Sequence, residues 1–288
     1  MSRVAVVTDT TAYLPVELVA ANQLHLVSLY VNFGPERTVR EEDINDYEKF
    51  YDELRSSDAL PTTSQPAVGD FLAVYEPLLD AGHNIVSIHI SGGLSGTCDA
   101  ARQAMETLER DGRGGRVRVI DSTTAAGGIG LLAVVAAHRA REGGTLDEVE
   151  QAARDARADL KIWFAIDTLE YLKRGGRIGA ASAWIGSTLR IKPILTVESE
   201  MTPVERVRTS ARAFERMLDY ARQRHSDGAD AWVVQHIQSP DQAERLAESC
   251  RELFGNEPVW VSEIGPVLGV HTGPGLLGVG GIPPRYLD

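Results

Sequence analysis

The sequence predicts a two-domain α/β protein, and three observations carry that expectation. Short apolar runs alternate with amphipathic stretches along all 288 residues, the order produced by strands joined through helices. The runs are almost continuous in Val, Ile and Leu, as strands are when helices cover both faces of their sheet. A length near twice the roughly 150 residues of an ordinary domain suggests two units. In chain order, residues 4–7, 25–31, 85–90 and 117–120 read as strands, and 15–21, 46–54, 71–79 and 99–110 as helices. Together they make an N-terminal domain, residues 1–158, with a mainly parallel sheet and helices on both faces. Gly143-Gly144 breaks the chain ahead of a helix over 145–159, opened by Thr145 and Glu148 as a capping box, in which hydroxyl and carboxylate reciprocally satisfy free amides. A C-terminal α/β domain, 159–288, follows. Its strands fall at 162–166, 191–197 and 232–236, and its helices at 211–222 and from Pro240 onward. Ser239-Pro240-Asp241-Gln242 reads as a second capping box with proline at the first helical position.

Charge narrows the function classes. Lys and Arg number 29 against 41 Asp and Glu, a formal net charge of −12, and that field repels phosphate backbones and anionic membrane surfaces. Nucleic acid is excluded as a partner, and no apolar run approaches the ~18 residues of a spanning helix, so no stable membrane insertion is expected. Two cysteines and the absence of a long apolar leader point to a reducing, cytoplasmic compartment. Aromatic residues are only 6%, so any cavity should be walled by aliphatic side chains.

In open α/β sheets ligands sit beyond the carboxyl ends of strands. Four polar segments are expected there: Thr8-Asp9-Thr10-Thr11, Thr62-Thr63-Ser64-Gln65-Pro66, Ser91 through Ser95-Gly96-Thr97, and Asp121-Ser122-Thr123-Thr124. Each could simply cap a helix; converging, they would line one pocket suited to a carboxylate or phosphate. Tyr171-Leu-Lys-Arg-Gly-Gly-Arg177 gathers Lys173, Arg174 and Arg177 around a Gly-Gly turn, either as a solvated loop or as an anion contact. Arg206 and Arg208 pose the same alternative, and His271 is either a turn histidine or one facing a cleft.

Other chemistries fit poorly. Gly128-Ile-Gly130-Leu-Leu-Ala133 and Gly273-Pro-Gly275-Leu-Leu-Gly278 mimic the dinucleotide fingerprint but lack the acidic residue about twenty positions on, at the end of a following strand. There is no P-loop, so no nucleotide cofactor is expected. Seven histidines lack metal-ligand spacing, so no metal is expected either. Ser95 or Ser91 with a histidine could form a nucleophile and base pair, which leaves a serine esterase as the alternative function.

Taken together, Val6-Val-Thr-Asp9, Thr63-Ser-Gln-Pro66 with Gly69-Asp-Phe71, Ser91 through Thr97, Asp121-Ser122, Leu169 through Gly179 leading to Ile191-Lys-Pro-Ile-Leu195, and His271-Thr-Gly-Pro-Gly275 resemble the DegV family of bacterial fatty-acid-binding proteins over essentially the whole chain. The resemblance implies a two-domain DegV-like (EDD) fold with an apolar ligand tunnel between the domains. It implies a non-catalytic lipid-binding subunit that presents a long-chain fatty acid to a separate ATP-dependent fatty acid kinase, the acyl phosphate passing to an acyltransferase of phospholipid synthesis. By motif, Thr63 and Ser95 would hold the carboxylate, with Gly96, Thr97, Thr10, Asp121 and Ser122 around them. Arg177, Arg208 and His271 would serve phosphotransfer or kinase docking. The chain departs from the family pattern at Tyr13, Ala67, Gly93 and Cys98, where Asp, Ser, Ser and Tyr are common.

Overall fold

The computed structural model describes residues 3–56, 60–185 and 191–288. Its elements are β1 (Val4–Asp9), α1 (Val16–Ala21), β2 (His25–Val27), β3 (Tyr30–Asn32), β4 (Thr38–Arg40), α2 (Tyr47–Ser56), β5 (Thr62–Ser64), α3 (Val68–Asp80), β6 (Asn84–His89), α4 (Thr97–Leu108), β7 (Val117–Asp121), α5 (Gly127–Arg141) and α6 (Leu146–Asp159). Then come β8 (Lys161–Ala165), α7 (Glu170–Arg174), β9 (Lys192–Glu198), β10 (Glu200–Val207), α8 (Ser210–Ser226), β11 (Ala231–His236), α9 (Pro240–Phe254), β12 (Trp260–Glu263), α10 (Pro266–Thr272) and β13 (Leu277–Ile282).

The first sheet is fully parallel, β2-β1-β6-β7, as the run of buried apolar strands foretold. Side chains alternate across it: Val7 and Ile85 meet Phe71, Tyr75 and Ala101 of α3 and α4, while Val6, Val86 and Ile88 join the core on the opposite face. The second sheet, β10-β9-β8-β13-β11-β12, is antiparallel except for β11 and β12. Trp232 and Val234 face Met217, Ala221 and Leu246 of α8 and α9, and Ala231 and Val233 face the other way. A small antiparallel sheet, β4-β3-β5, stands beside them. No described helix is long and apolar enough to cross a membrane.

Helix α5 lies between the two large sheets, touching β1 and β6 of the first and β8, β11 and β13 of the second. Every residue from Gly127 to Ala137 is buried. A helix apolar all round must be covered all round, so the missing 3.6-residue period that hid α5 from sequence reading is the mark of its position. Its glycines are packing sites rather than a nucleotide fingerprint: a Cβ on Gly130 would lie 2.9 Å from the Trp260 ring. Strand β13, central in the second sheet, went unread because Gly278, Gly280 and Gly281 lack the β-branched signal of strands.

Three expected features need correction. The single strand over 25–31 is two strands in different sheets, bent at Ser28 and Leu29, where Leu29 N–H donates to Thr10 Oγ1 and its carbonyl accepts from Glu41 N–H. Thr62–Ser64, expected beyond a strand end, is itself strand β5, paired with β3. The box at Ser239 does not form: Pro240 opens α9, but the Ser239 side chain caps nothing, and its N–H turns back toward His236 Nδ1 at 3.3 Å. The Thr145–Glu148 box is present, with both reciprocal bonds.

Leu132→Ala, in the fully buried centre of α5, is expected to lower the unfolding free energy in urea by about 2–5 kcal/mol. Val16→Ala, 77% exposed on α1, is expected to change it by less than about 0.5 kcal/mol. Equal losses would mean that α5 is not sandwiched between sheets.

Candidate functional site

A cavity of about 360 Å³ opens beside the N-terminal end of α5, within the roughly 300–1,000 Å³ usual for small-molecule sites. One wall is the inner face of the second sheet, with Ile162, Phe164 and Val233 and the glycines Gly278 and Gly280 of β13. Leu29, Ile90, Ala125 and Ala126 form the opposite wall, and Val267 and Leu268 of α10 close it. Phe164 is the one Phe, Tyr or Trp among its lining residues.

At its polar rim four residues from distant parts of the chain converge. Thr63 Oγ1 lies 2.7 Å from His271 Nε2, across 208 residues of sequence. The positive field of Arg177 reaches His271, and Arg177 donates from Nε to the Leu94 carbonyl at 3.3 Å. Ser95, next along, holds its Oγ 2.8 Å from Thr97 Oγ1. Thr63, Ser95, Arg177 and His271 all line the cavity.

Burial pushes the His271 imidazole down to about 4, with Arg177 adding to the effect, so the ring is neutral at physiological pH. Nδ1 is buried without a partner, against Gly175, where a Cβ would come within 2.3 Å of it. Leaving a donor unmade is the rarer outcome in a folded protein, so we assign the proton to Nε2, donating to Thr63 Oγ1. The Thr63 hydroxyl proton is then free to point into the cavity. With the Ser95 hydroxyl and the Arg177 guanidinium it forms a donor set for a carboxylate.

The remaining expected site residues lie outside this lining, and Thr10, Asp121 and Ser122 spend their side-chain oxygens on the scaffold. Thr10 donates to Glu41 Oε2 at 2.5 Å. Asp121 accepts from Gly92 and Thr123 N–H, Ser122 Oγ donates to the Thr124 carbonyl, and Gly96 precedes α4 with Gln65 packed on its Cα. Thr97 is fully buried in the first turn of α4. Arg208 is exposed between β10 and α8, and Arg206 stacks its guanidinium over Trp184 at 5.4 Å.

The esterase alternative fails on geometry, since neither candidate nucleophile meets a histidine. Ser91 Oγ donates to the Ser199 carbonyl, and Ser95 pairs with Thr97. An Asp–His–Ser series does exist: His89 stands 3.0 Å from Asp9 Oδ2 and 2.6 Å from Ser87 Oγ. Tyr75 donates to that same Ser87, and all four residues are fully buried beneath α3, closed to any substrate.

Sequence reading missed Glu41, whose Glu-Glu-Asp setting looks like a surface run. It is 2% exposed and accepts from Thr10, Tyr13 and Val267 N–H, while Tyr13 Oη accepts from Leu268 N–H. Together they hold the free amides at the start of α10, the helix that carries His271. Burial pushes the Glu41 carboxyl up to about 7. No sequence signal distinguishes it from the acids beside it.

Comparison with known proteins agrees with this architecture. A family model described as an uncharacterised protein of the DegV family matches residues 3–283. A DegV domain-containing protein of Streptomyces coelicolor is 40% identical over 283 residues, covering 97% of this chain and 98% of its own. Protein DegV of Bacillus subtilis is 34% identical over 279 residues, 96% and 98% of the two chains. A solved DegV family structure from Thermus thermophilus, described as fatty acid binding, superposes with a TM-score of 0.86 at 33% identity, covering 98% of this chain and 99% of that one. The structure of DegV from Bacillus subtilis, described as a fatty acid binding protein, gives 0.86 at 32% identity, covering 97% and 99%.

The His271 shift carries a stability consequence of definite sign. Its folded value lies below the ordinary 6.5, so the unfolded chain takes up the proton first, and stability falls as pH drops from about 6.5 toward 4 by up to about 1.4 kcal/mol per unit. Urea unfolding of wild type and His271→Asn at pH 7 and pH 4.5 should show the wild-type advantage shrinking at the lower pH. A difference independent of pH would contradict the burial of a neutral ring.

Proposed function

The chain belongs to the DegV family, and from that premise we propose that it holds one long-chain fatty acid in the aliphatic cavity, with its carboxylate met by Thr63 and Ser95. The observation that carries the proposal is the pairing of an apolar cavity with a hydroxyl at its rim that His271 leaves free to donate. A tail of about 14 methylenes at ~0.8 kcal/mol each supplies on the order of 11 kcal/mol before association and ordering costs. An unpaired buried carboxylate would forfeit several kcal/mol of that, which is why the rim must be polar. The tail supplies affinity and the head orientation.

In the same reading the chain is the binding half of a two-protein system. It presents the carboxylate to an ATP-dependent fatty acid kinase, and an acyltransferase of phospholipid synthesis consumes the acyl phosphate. Arg177 and His271 stand beside the head group, and the exposed Arg208 serves docking. The division between domains falls at 158 and 159, with the cavity lined from both sides of it.

An organic extract of natively purified protein is expected to yield a long-chain fatty acid by mass spectrometry. Thr63→Val and Ser95→Ala should each weaken displacement of a fluorescent fatty acid by roughly 10- to 100-fold, the cost of a lost charge-assisted hydrogen bond. An empty extract together with no binding by wild type would defeat the proposal. Arg208→Ala should keep fatty acid affinity within about twofold, as a surface change away from the ligand does, while slowing acyl phosphate formation with a cognate kinase.

A further inference from the structure

Away from Thr63 and Ser95, the cavity wall contains a hydroxyl with nothing to bind. Thr124 is 3% exposed and lines the cavity. Its N–H donates to Ser122 Oγ, and its carbonyl accepts from Ser91 N–H and Ser122 Oγ. Its Oγ1 has no hydrogen-bond partner among the described residues. A threonine just ahead of a helix would ordinarily cap it, but the amide of Gly127 at the start of α5 is taken by Gln235 Oε1 at 2.5 Å. Gln235, 5% exposed, lines the same cavity and gives one amide proton to Ser262 Oγ. Its second proton has no acceptor among the described residues.

This arrangement is held in place. Thr123 and Ala126 both lie at positive φ, 49° and 51°, conformations that persist only where the surroundings impose them. At Thr123 Arg157 does so, donating to Ser122 O, Thr123 Oγ1 and Thr123 O. The nearby wall of Phe164, Val233 and Leu276 is apolar. A plain methylene passing Thr124 would leave its hydroxyl buried and unpaired, whereas an oxygen on the chain would pair it, as donor or acceptor.

We propose that the ligand class includes acyl chains bearing an oxygen along their length, hydroxy fatty acids, with Thr124 as the residue that recognises that oxygen and Gln235 beside it. The proposal rests on the fatty-acid reading above and adds a second polar subsite to it. A site built around a hydrogen-bonding group discriminates far more sharply than one that merely fits an extra methylene.

The test is competition of stearic acid against a positional series of hydroxystearic acids, hydroxylated at carbons from 2 to 12, for delipidated protein. Displacement of a fluorescent fatty acid is read in wild type, Thr124→Val, Thr124→Ala and Thr124→Ser. At least one isomer is expected to bind wild type roughly tenfold more tightly than stearic acid, as one added buried hydrogen bond allows. The serine variant should keep that advantage. In the valine and alanine variants that isomer should bind no more tightly than stearic acid does to the same variant. The subsite is rejected if stearic acid binds and no isomer exceeds it, or if the advantage survives in the valine and alanine variants. If neither stearic acid nor any isomer binds wild type, the fatty-acid reading itself falls.

Discussion

Everything in this molecule is arranged around a helix that has no face for water. The buried run from Gly127 to Ala137 in α5 offers no polar stripe, so a single sheet would leave half of it exposed at ~25 cal/mol per Å² of apolar surface. Two sheets cover it instead, which joins both halves of the chain through one core. The cover is incomplete beside the helix's N-terminal end, where the Thr124–Ala126 turn approaches the second sheet while Val233 and Gln235 of that sheet still meet Gly127. The cavity occupies that gap. Its walls are aliphatic because they are the inner faces of sheets built to bury a helix.

The polar atoms around the gap divide into those used by the fold and those left over. Thr10, Asp121 and Ser122 resemble ligand-binding residues in sequence, yet each is tied to a neighbouring turn. The hydroxyls of Thr63 and Thr124 are different: one receives its bond from an uncharged imidazole and keeps its own proton, and the other has no partner at all among the described residues. A ligand oxygen that meets such unspent hydrogen-bonding capacity gains a bond without displacing one the fold already uses. On the proposed reading, an acidic protein holds an anionic head group because the donors act at contact distance, inside the ~8 Å over which salt screens the repulsive net charge.

The rim is also coupled to a charge the sequence does not advertise. Glu41 and Tyr13 take the amides at the start of α10, while Tyr51 donates to the carbonyls of Ile264 and Gly265 just before it. Three side chains from the N-terminal part thus fix the helix that brings His271 to Thr63. Glu41 and His271 oppose each other in pH: charging a buried carboxyl near 7 weakens the fold as pH rises, and the buried neutral imidazole weakens it as pH falls. Tyr13 shows what a family departure can mean, since its hydroxyl is part of that anchorage rather than of the ligand site.

Much of the fold was written locally. The parallel strands of the first sheet, α3, α4, α6 with its Thr145–Glu148 cap, and α8 follow from residue periodicity and capping chemistry, which depend on neighbours a few positions apart. Family motifs likewise singled out Thr63, Ser95, Arg177 and His271. Tertiary structure alone decided what depends on distant partners. It made α5 a helix without an amphipathic period and β13 a central strand of glycines, split the run after His25 between two sheets, and buried Glu41 among its acidic neighbours. Above all it determined which of many similar hydroxyls kept a free proton, because hydrogen-bond satisfaction is settled by whatever the fold brings within about 3 Å, and sequence spacing carries no record of that.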